Sequence, residues 1–233
     1  MKKIKISILL STYNEEKFIK KTIKEIFKHI KNSEIIIVDD NSTDNTIEII
    51  KKLKFKNLKL YVRKNRGLAS AFLLALINSS GDKIGWVDSN MNTLIKKFPL
   101  MIKKLNQNDI VLLSRYIKSG GDKRSSLRVL SSKLINLFSR IILSNKIKDY
   151  TSSIFVMNRN ALEKTIPIAY GHGEFFIEFL YKGLKNNLKI LEMPYIQPAD
   201  YESISKTAPN VLRFFKLGFL YFFRILIIKF RSN

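Results

Sequence analysis

Short β-branched runs alternate with amphipathic helical stretches through residues 4–87, and few folds accommodate that alternation. Residues 4–10 read as a buried strand, and Ser11-Thr12-Tyr13-Asn14 as a polar turn. In the helix that follows, Phe18, Ile19, Ile23, Ile26, Phe27 and Ile30 recur at helical spacing. The unit then repeats: strands are predicted over residues 34–38, 58–62 and 83–87, and helices over 45–53 and 68–77. A further helix is predicted over 94–105, with Pro99 in its first turns. Together these predict an α/β fold, a mostly parallel sheet flanked by helices. With 233 residues, 45% of them hydrophobic, the chain can bury one substantial core. One domain is expected over residues 1–208, followed by an apolar and basic C-terminal amphipathic helix over 209–233.

In parallel sheets, ligands bind beyond the carboxyl ends of the strands. Three strand candidates end there in carboxylates and amides: residues 12–15, 39–44 and 88–92. Each alone reads equally well as an Asx turn or a helix cap, Asp44 or Ser42 capping the second helix for instance. Three together point to a polar ligand. A dinucleotide-binding loop is excluded, because Ser11-Thr12-Tyr13-Asn14-Glu15 stands where Gly-X-Gly-X-X-Gly would be, and no Gly-Lys-Ser/Thr phosphate loop exists. Gly67, in Asn65-Arg66-Gly67-Leu68-Ala69-Ser70-Ala71, is the one glycine near the phosphate side of the predicted sheet.

Four segments fall in an order and spacing that resembles family 2 glycosyltransferases with the GT-A fold. They are Ser11 to Glu15, Val38-Asp39-Asp40-Asn41-Ser42-Thr43-Asp44-Asn45-Thr46, the Gly67 segment, and Asp88-Ser89-Asn90-Met91-Asn92. Asp109-Ile110-Val111-Leu112-Leu113-Ser114-Arg115-Tyr116, Lys123-Arg124-Ser125-Ser126-Leu127-Arg128-Val129-Leu130-Ser131 and Asp149-Tyr150-Thr151-Ser152-Ser153-Ile154-Phe155 bring it closer to dolichol-phosphate and polyprenyl-phosphate mannosyltransferases, over about residues 5–206. The resemblance implies transfer of a hexose, mannose or glucose, from a GDP- or UDP-hexose to a dolichyl or undecaprenyl phosphate, with inversion. It implies that Thr12, Tyr13, Glu15, Asp39, Asp40, Gly67 and Asp88 bind the nucleotide-sugar. Asp88 would also ligate Mg²⁺ or Mn²⁺, with Asn90 and Asn92 supplying neutral oxygens. Where the family has Asp-X-Asp, Asn90 replaces the second carboxylate, so weaker metal affinity is expected. Arg115, Arg128, Ser131 and Lys206 are implied to hold the acceptor phosphate, Asp88, Arg115 and Arg128 being catalytic, and residues 119–122 read as a mobile lid. In the family's Arg-X-X-Gly-X-Ser-Lys loop, Ser205 and Lys206 match while Asp200 and Ser203 replace Arg and Gly, so either another cation, such as Lys206 or Arg115, neutralises phosphate or the donor or acceptor differs from the family norm.

A sugar hydroxyl needs a general base to become a nucleophile, whereas an alkyl phosphate with a second pKa near 6 is already mostly dianionic at neutral pH. The Gln-X-X-Arg-Trp run of processive polysaccharide synthases is absent, which favours a phosphate acceptor. Two alternatives stand beside it: a hydroxyl-directed enzyme of envelope polysaccharide, with Glu174 or Asp149 as base, and a degenerate module that binds without turnover. His29 reads as helix surface and His172 as loop.

The formal charge is +23, from 42 Lys+Arg against 19 Asp+Glu, and there is no cysteine. Such a charge suits a phosphorylated substrate or an anionic membrane surface; no nucleic-acid-binding motif accompanies it, and much of it also reads as solvated surface. No secretory signal is visible at the N-terminus, and a cytoplasmic location fits the lack of cysteine. Residues 211–230 are apolar but interrupted by Arg213, Lys216, Arg224 and Lys229, too often for the roughly 20 residues of a spanning helix. Helical spacing gathers Arg213, Lys216, Arg224 and Arg231 on one face. A peripheral helix is expected at the cytoplasmic face of a membrane, or packed on the domain or on a membrane subunit.

Overall fold

The computed structural model describes residues 5–64, 66–152, 154–166, 171, 173–199 and 211–231. The chain runs through β1 (Ile6–Thr12), α1 (Ile19–His29), β2 (Ser33–Asp39), α2 (Thr46–Lys52), β3 (Leu58–Val62), α3 (Leu68–Ile77) and β4 (Lys83–Trp86). A 3₁₀ helix (Asn92–Lys97) leads into α4 (Phe98–Lys104), followed by β5 (Ile110–Ser114), β6 (Gly121–Asp122), α5 (Ser126–Ile142) and β7 (Phe155–Asn158). After a second 3₁₀ turn come α6 (Glu174–Lys185), β8 (Ile190–Pro194), β9 (Ile196–Gln197) and α7 (Val211–Arg231). Seven strands form one sheet in the order β3-β2-β1-β4-β7-β5-β8. All its pairings are parallel except those of β7, which runs antiparallel between β4 and β5.

Alternation along the buried strands divides the core into two layers. On β1, Ile6, Ile8 and Leu10 face Ile23 and Ile26 of α1 and Phe98 and Met101 of α4. Leu9, with Val38, Trp86 and Phe155, faces the layer of α3 and α6. Aromatic rings fill that second layer: Phe72 meets Trp86 edge-on at 4.9 Å, and Phe155 stacks on Phe176 at 5.0 Å. Ile225 and Ile228 of α7 are buried in the same layer, so the C-terminal helix is integrated with the domain. Among the described residues no helix is long and apolar enough to cross a membrane.

Two expectations are corrected. The helix predicted over 94–105 is a 3₁₀ segment followed by a new α-helix, because Pro99 has no N–H to donate and fits only at a helix's opening. Residues 119–122 are a fixed wall where a mobile lid was expected. Gly121 and Asp122 pair in parallel with Ile196 and Gln197, the Gly120 N–H donates to Ile117 O at 2.9 Å, and a Cβ on Gly120 would come within 2.6 Å of Arg115 O.

At the amino edge of the sheet, Ser7 Oγ donates to Glu34 Oε1 at 2.7 Å and accepts from the Gly81 N–H at 2.8 Å, drawing the β4 entry loop against β1. A Cβ on Gly81 would stand 2.7 Å from the backbone of Ile6 and Ser7. Gly81→Ala is expected to cost about 1–3 kcal/mol in urea unfolding, since backbone must move. Gly218, in α7, has nothing within 4 Å of such a Cβ, and Gly218→Ala is expected to raise stability by about 0.5–1 kcal/mol.

Candidate functional site

The polar tips of β1 and β2 are tied to one another. Thr12 Oγ1 donates to Asp39 Oδ2 at 2.7 Å, and Asp39 also accepts the Ser42 N–H and Ser42 Oγ, each at 2.7 Å. Asn14 and Asn41 adopt the left-handed conformation (φ 55° and 60°) that Asn tolerates and that turns each loop back on itself. The Asn14 side chain then accepts the Thr43 N–H at 2.8 Å, and the Glu15 N–H donates to Thr46 Oγ1 at 2.7 Å. Asp44, expected with Ser42 as the cap of α2, stands one residue before the N-cap Asn45 and accepts the Thr46 N–H at 3.0 Å, while the Asn45 side chain makes no capping bond.

Asp40 holds the third loop. Its oxygens accept Arg63 Nε and, at 2.9 Å, the Gly67 N–H; Arg63 in turn donates to Ser70 Oγ at 2.8 Å and to Gly67 O. Asp39 and Asp40, expected against the nucleotide, are thus both buried and engaged with the protein's own donors. Arg63, which nothing in the sequence distinguishes from surface charge, is the link that sequence reasoning missed. Beyond it, the exposed Arg66 guanidinium lies 3.5 Å from the centroid of the Tyr13 ring, a cation–π stack at the mouth of the site.

The third tip leaves β4 after Trp86. The Met91 N–H donates to Asp88 O at 3.0 Å, and Thr22 of α1 donates to Ser89 O, which seats the turn on the helix below it. Asp88 is partly buried, and burial together with the Glu15 charge raises its carboxyl to about 6. The Asn90 Oδ1 is buried and accepts no hydrogen bond. An acceptor oxygen left bare beside a carboxylate whose charge is poorly compensated is the arrangement a hard divalent cation relieves. Asp88 and Asn90 therefore fit Mg²⁺ or Mn²⁺; Asn92, expected as a third ligand, is buried at the first residue of the 3₁₀ helix. Among the described residues no three His, Cys, Asp or Glu side chains cluster to cage a metal without a ligand's help.

On the acceptor half, Arg115 differs from expectation. It is 4% exposed and clamped to Asp149, through Nε to Oδ2 at 2.8 Å and Nη2 to Oδ1 at 2.7 Å, with Thr151 Oγ1 also 2.7 Å from Nη2. Burial would weaken the charged form, but Asp149 outweighs it and raises the guanidinium pKa further. Its remaining nitrogen reaches Asp122, which Arg124 grips with two bonds at 2.9 and 2.7 Å. Asp149 additionally accepts the Arg115 and Thr151 N–H groups, so both of its oxygens are saturated and it is no general base. Asn136 of α5, a residue the sequence did not single out, completes the network by donating to Thr151 Oγ1 at 2.8 Å. Arg128 and Ser131 lie in the first turns of α5, Ser131 Oγ donating to Leu127 O at 2.9 Å. Lys206, with Asp200, Ser203 and Ser205 of its loop and His172, lies outside the described residues.

The sequence profile of glycosyl transferase family 2 matches residues 7–166. A dolichol-phosphate mannosyltransferase of Pyrococcus furiosus is 31% identical over 206 residues, 82% of this chain and 56% of that protein. A dolichyl N-acetyl-α-D-glucosaminyl phosphate 3-β-D-2,3-diacetamido-2,3-dideoxy-β-D-glucuronosyltransferase of Methanococcus voltae is 39% identical over 84 residues, 33% of this chain and 26% of that one. The chain thus spans little more than half the length of the first of these relatives and about a quarter of the second. Glucosyl-3-phosphoglycerate synthase of Mycobacterium tuberculosis, solved with Mn²⁺, UDP and glucosyl-3-phosphoglycerate, superposes with a TM-score of 0.69 at 19% identity, covering 97% of this chain and 79% of that one. That likeness is one of fold, GT-A.

Two outcomes follow. Folded Asp88 keeps its proton to about pH 6 while the unfolded chain releases it near 3.8, so its ionisation removes stability as pH rises through that window. Mn²⁺ is therefore expected to raise the thermal midpoint clearly at about pH 7.5 and hardly at about pH 5, and Asp88→Asn to abolish the gain, by differential scanning fluorimetry. Asp149→Asn removes the partner of a buried arginine and is expected to cost about 3–5 kcal/mol in urea unfolding.

Proposed function

The chain belongs to glycosyl transferase family 2, and we propose that it moves a hexose, mannose or glucose, from a GDP- or UDP-hexose to a polyprenyl phosphate. The saturation of Asp149 carries the choice of acceptor, because it is one of the two carboxylates, with Glu174, that could serve as general base, and both its oxygens are already committed. A phosphate dianion needs no base. Its oxygen attacks the anomeric carbon from the face opposite the nucleoside diphosphate; the new C–O bond forms as the bond to the diphosphate oxygen breaks, and the configuration inverts.

Tyr13, with Thr12, Glu15 and Gly67 around it, would receive the nucleoside, the Arg66 guanidinium giving way or turning to the diphosphate. Asp88 and Asn90 would hold Mg²⁺ or Mn²⁺, which supplies charge neutralisation for the departing diphosphate. Asp39 and Asp40 act at one remove, by fixing the loops that carry those contacts. Arg128 and Ser131 would meet the acceptor phosphate, with Lys206 assigned to it from the sequence alone, while Arg115 braces Asp149 and Thr151. The same reading puts the protein at the cytoplasmic face of a membrane, where a lipid phosphate is presented, with α7 at the interface or against a membrane subunit. Glu174, at the opening of α6, is the carboxylate on which a hydroxyl-directed reaction would depend.

Incubation with each nucleotide-sugar, Mn²⁺ and a short polyprenyl phosphate is expected to yield the glycosyl phospholipid, and Asp88→Ala to lower kcat/KM at least about a hundredfold. Glu174→Gln is expected to leave transfer within about threefold of the parent. Transfer to a saccharide hydroxyl that Glu174→Gln abolishes would replace the lipid phosphate as acceptor.

A further inference from the structure

Helix α5 turns a row of leucines outward although it rests on the domain. Its buried residues are polar: Ser132, Asn136 and Ser139 are 8%, 3% and 0% exposed. Ile135, Phe138 and Ile142 are partly buried and pack against the core, while Leu127, Leu130, Leu134, Leu137 and Ile141, 49–71% exposed, point away from the domain. These five recur at spacings of three and four, so they form one stripe along the helix, nearly opposite the polar face. A helix resting on a domain in water does the reverse. The inward polarity has its own cause, because Ser132 and Asn136 bond Thr151 and Tyr150 of the Arg115 network. That network accounts for Ser132 and Asn136, while Ser139 Oγ is buried without a hydrogen-bond partner, and the outward leucines are left unexplained.

Helix α7 adds a second stripe beside the first. It buries Ile225 and Ile228, while Phe219, Phe223, Ile227 and Phe230 are 48–79% exposed. Of the expected basic face, Lys216 and Arg231 are exposed and Arg224 is half-buried, Arg231 also reaching Glu178 on α6. Phe138 of α5 and Phe222 of α7 stack with centroids 3.7 Å apart, joining the two stripes. Most of the exposed large apolar side chains among the described residues belong to these two helices.

The charge on the pair selects its occupant. Neither helix contains an Asp or Glu. Lys133 and Arg140 run along one edge of the α5 stripe, and Arg224 and Lys229 flank the α7 stripe on opposite edges. We propose that α5 and α7 together form one docking face for an anionic lipid monolayer, the leucine stripe of α5 entering the acyl boundary alongside the aromatics of α7. A second copy of the chain would set two uncompensated cationic rims against each other, whereas anionic headgroups neutralise both. This deepens the membrane location given above and is independent of the acceptor's identity.

The test uses vesicles of phosphatidylcholine with about one-third phosphatidylglycerol and no polyprenyl phosphate, read by co-sedimentation of the full chain. The parent is expected to bind these vesicles and to bind pure phosphatidylcholine less well. Leu134→Gln with Leu137→Gln is expected to weaken binding at least about tenfold with an unchanged thermal midpoint, since both side chains are already solvated in the lipid-free protein. Phe223→Gln with Ile227→Gln should do the same. Parent-like binding by the α5 double variant overturns the proposal. So does a vesicle-free dimer in sedimentation velocity that the same variant dissociates. Because the vesicles hold no acceptor, vesicle binding without lipid glycosylation supports the face and rejects only the acceptor.

Discussion

Asp39 is the constraint on which the site rests. Parallel strands deliver β1 and β2 to the same edge of the sheet, but the loops beyond them have no ladder to hold them. By accepting Thr12 from one strand and both donors of Ser42 from the other loop, a single buried carboxylate fixes both. Asn14 and Thr43 continue the seam outward, and Asp40 extends it through Arg63 to Gly67. Tyr13, Arg66 and the approach to Asp88 are placed by this framework. Its acids are saturated by neutral donors and by arginine, so it stays organised without a ligand present.

That division of labour among carboxylates explains what the sequence could and could not disclose. The fold was legible because its periods are local: five-residue apolar runs and three-to-four-residue helical repeats need no knowledge of partners. The single-residue offsets, β4 ending at Trp86 and not Val87, follow from fraying at strand ends. The break at Pro99 was visible in the residue itself and underweighted. Which acid meets a ligand and which meets a neighbour is a different matter. Asp39, Asp40, Asp88 and Asp149 are the same residue type in similar turns, and only the donors brought to them across 27, 23 or 34 residues of chain separate the framework acids from Asp88. Arg115, expected at the acceptor phosphate, is likewise met by a carboxylate distant in sequence, Asp149. In both halves the segments were identified and the roles within them redistributed.

Helix α5 shows the same limit in packing terms. Its sequence is amphipathic, and periodicity gives a stripe without saying which way the stripe faces. The inward face is chosen by Asn136 and Ser132, which satisfy the loop that carries Tyr150 and Thr151. Once those polar bonds are made, Ile135, Phe138 and Ile142 reach the core and the leucines on the far side do not. Reversing the helix to bury them would strand the Arg115–Asp149–Thr151 network without its outer partners, and unpaired buried polar groups cost more than exposed leucines. The outward stripe is thus a consequence of how the acceptor wall is held together.

The inner face of α7 carries the geometry further. Tyr221 fits where Gly173 has no side chain: a Cβ there would come within 2.3 Å of the Tyr221 hydroxyl, whose pKa is raised by burial and by nearby Glu174. Two residues earlier, Gly171 turns the chain at φ 99°, and its carbonyl accepts the Ala69 N–H at 3.4 Å. Ala69 belongs to the first turn of α3, directly after the Gly67 that Asp40 and Arg63 hold. One helix therefore presents aromatics outward, seats a tyrosine in the loop before α6, and through that loop touches the start of α3. The glycines at 171 and 173 are what let the three approach so closely. Any larger residue at 173 would displace the Tyr221 hydroxyl from this seat.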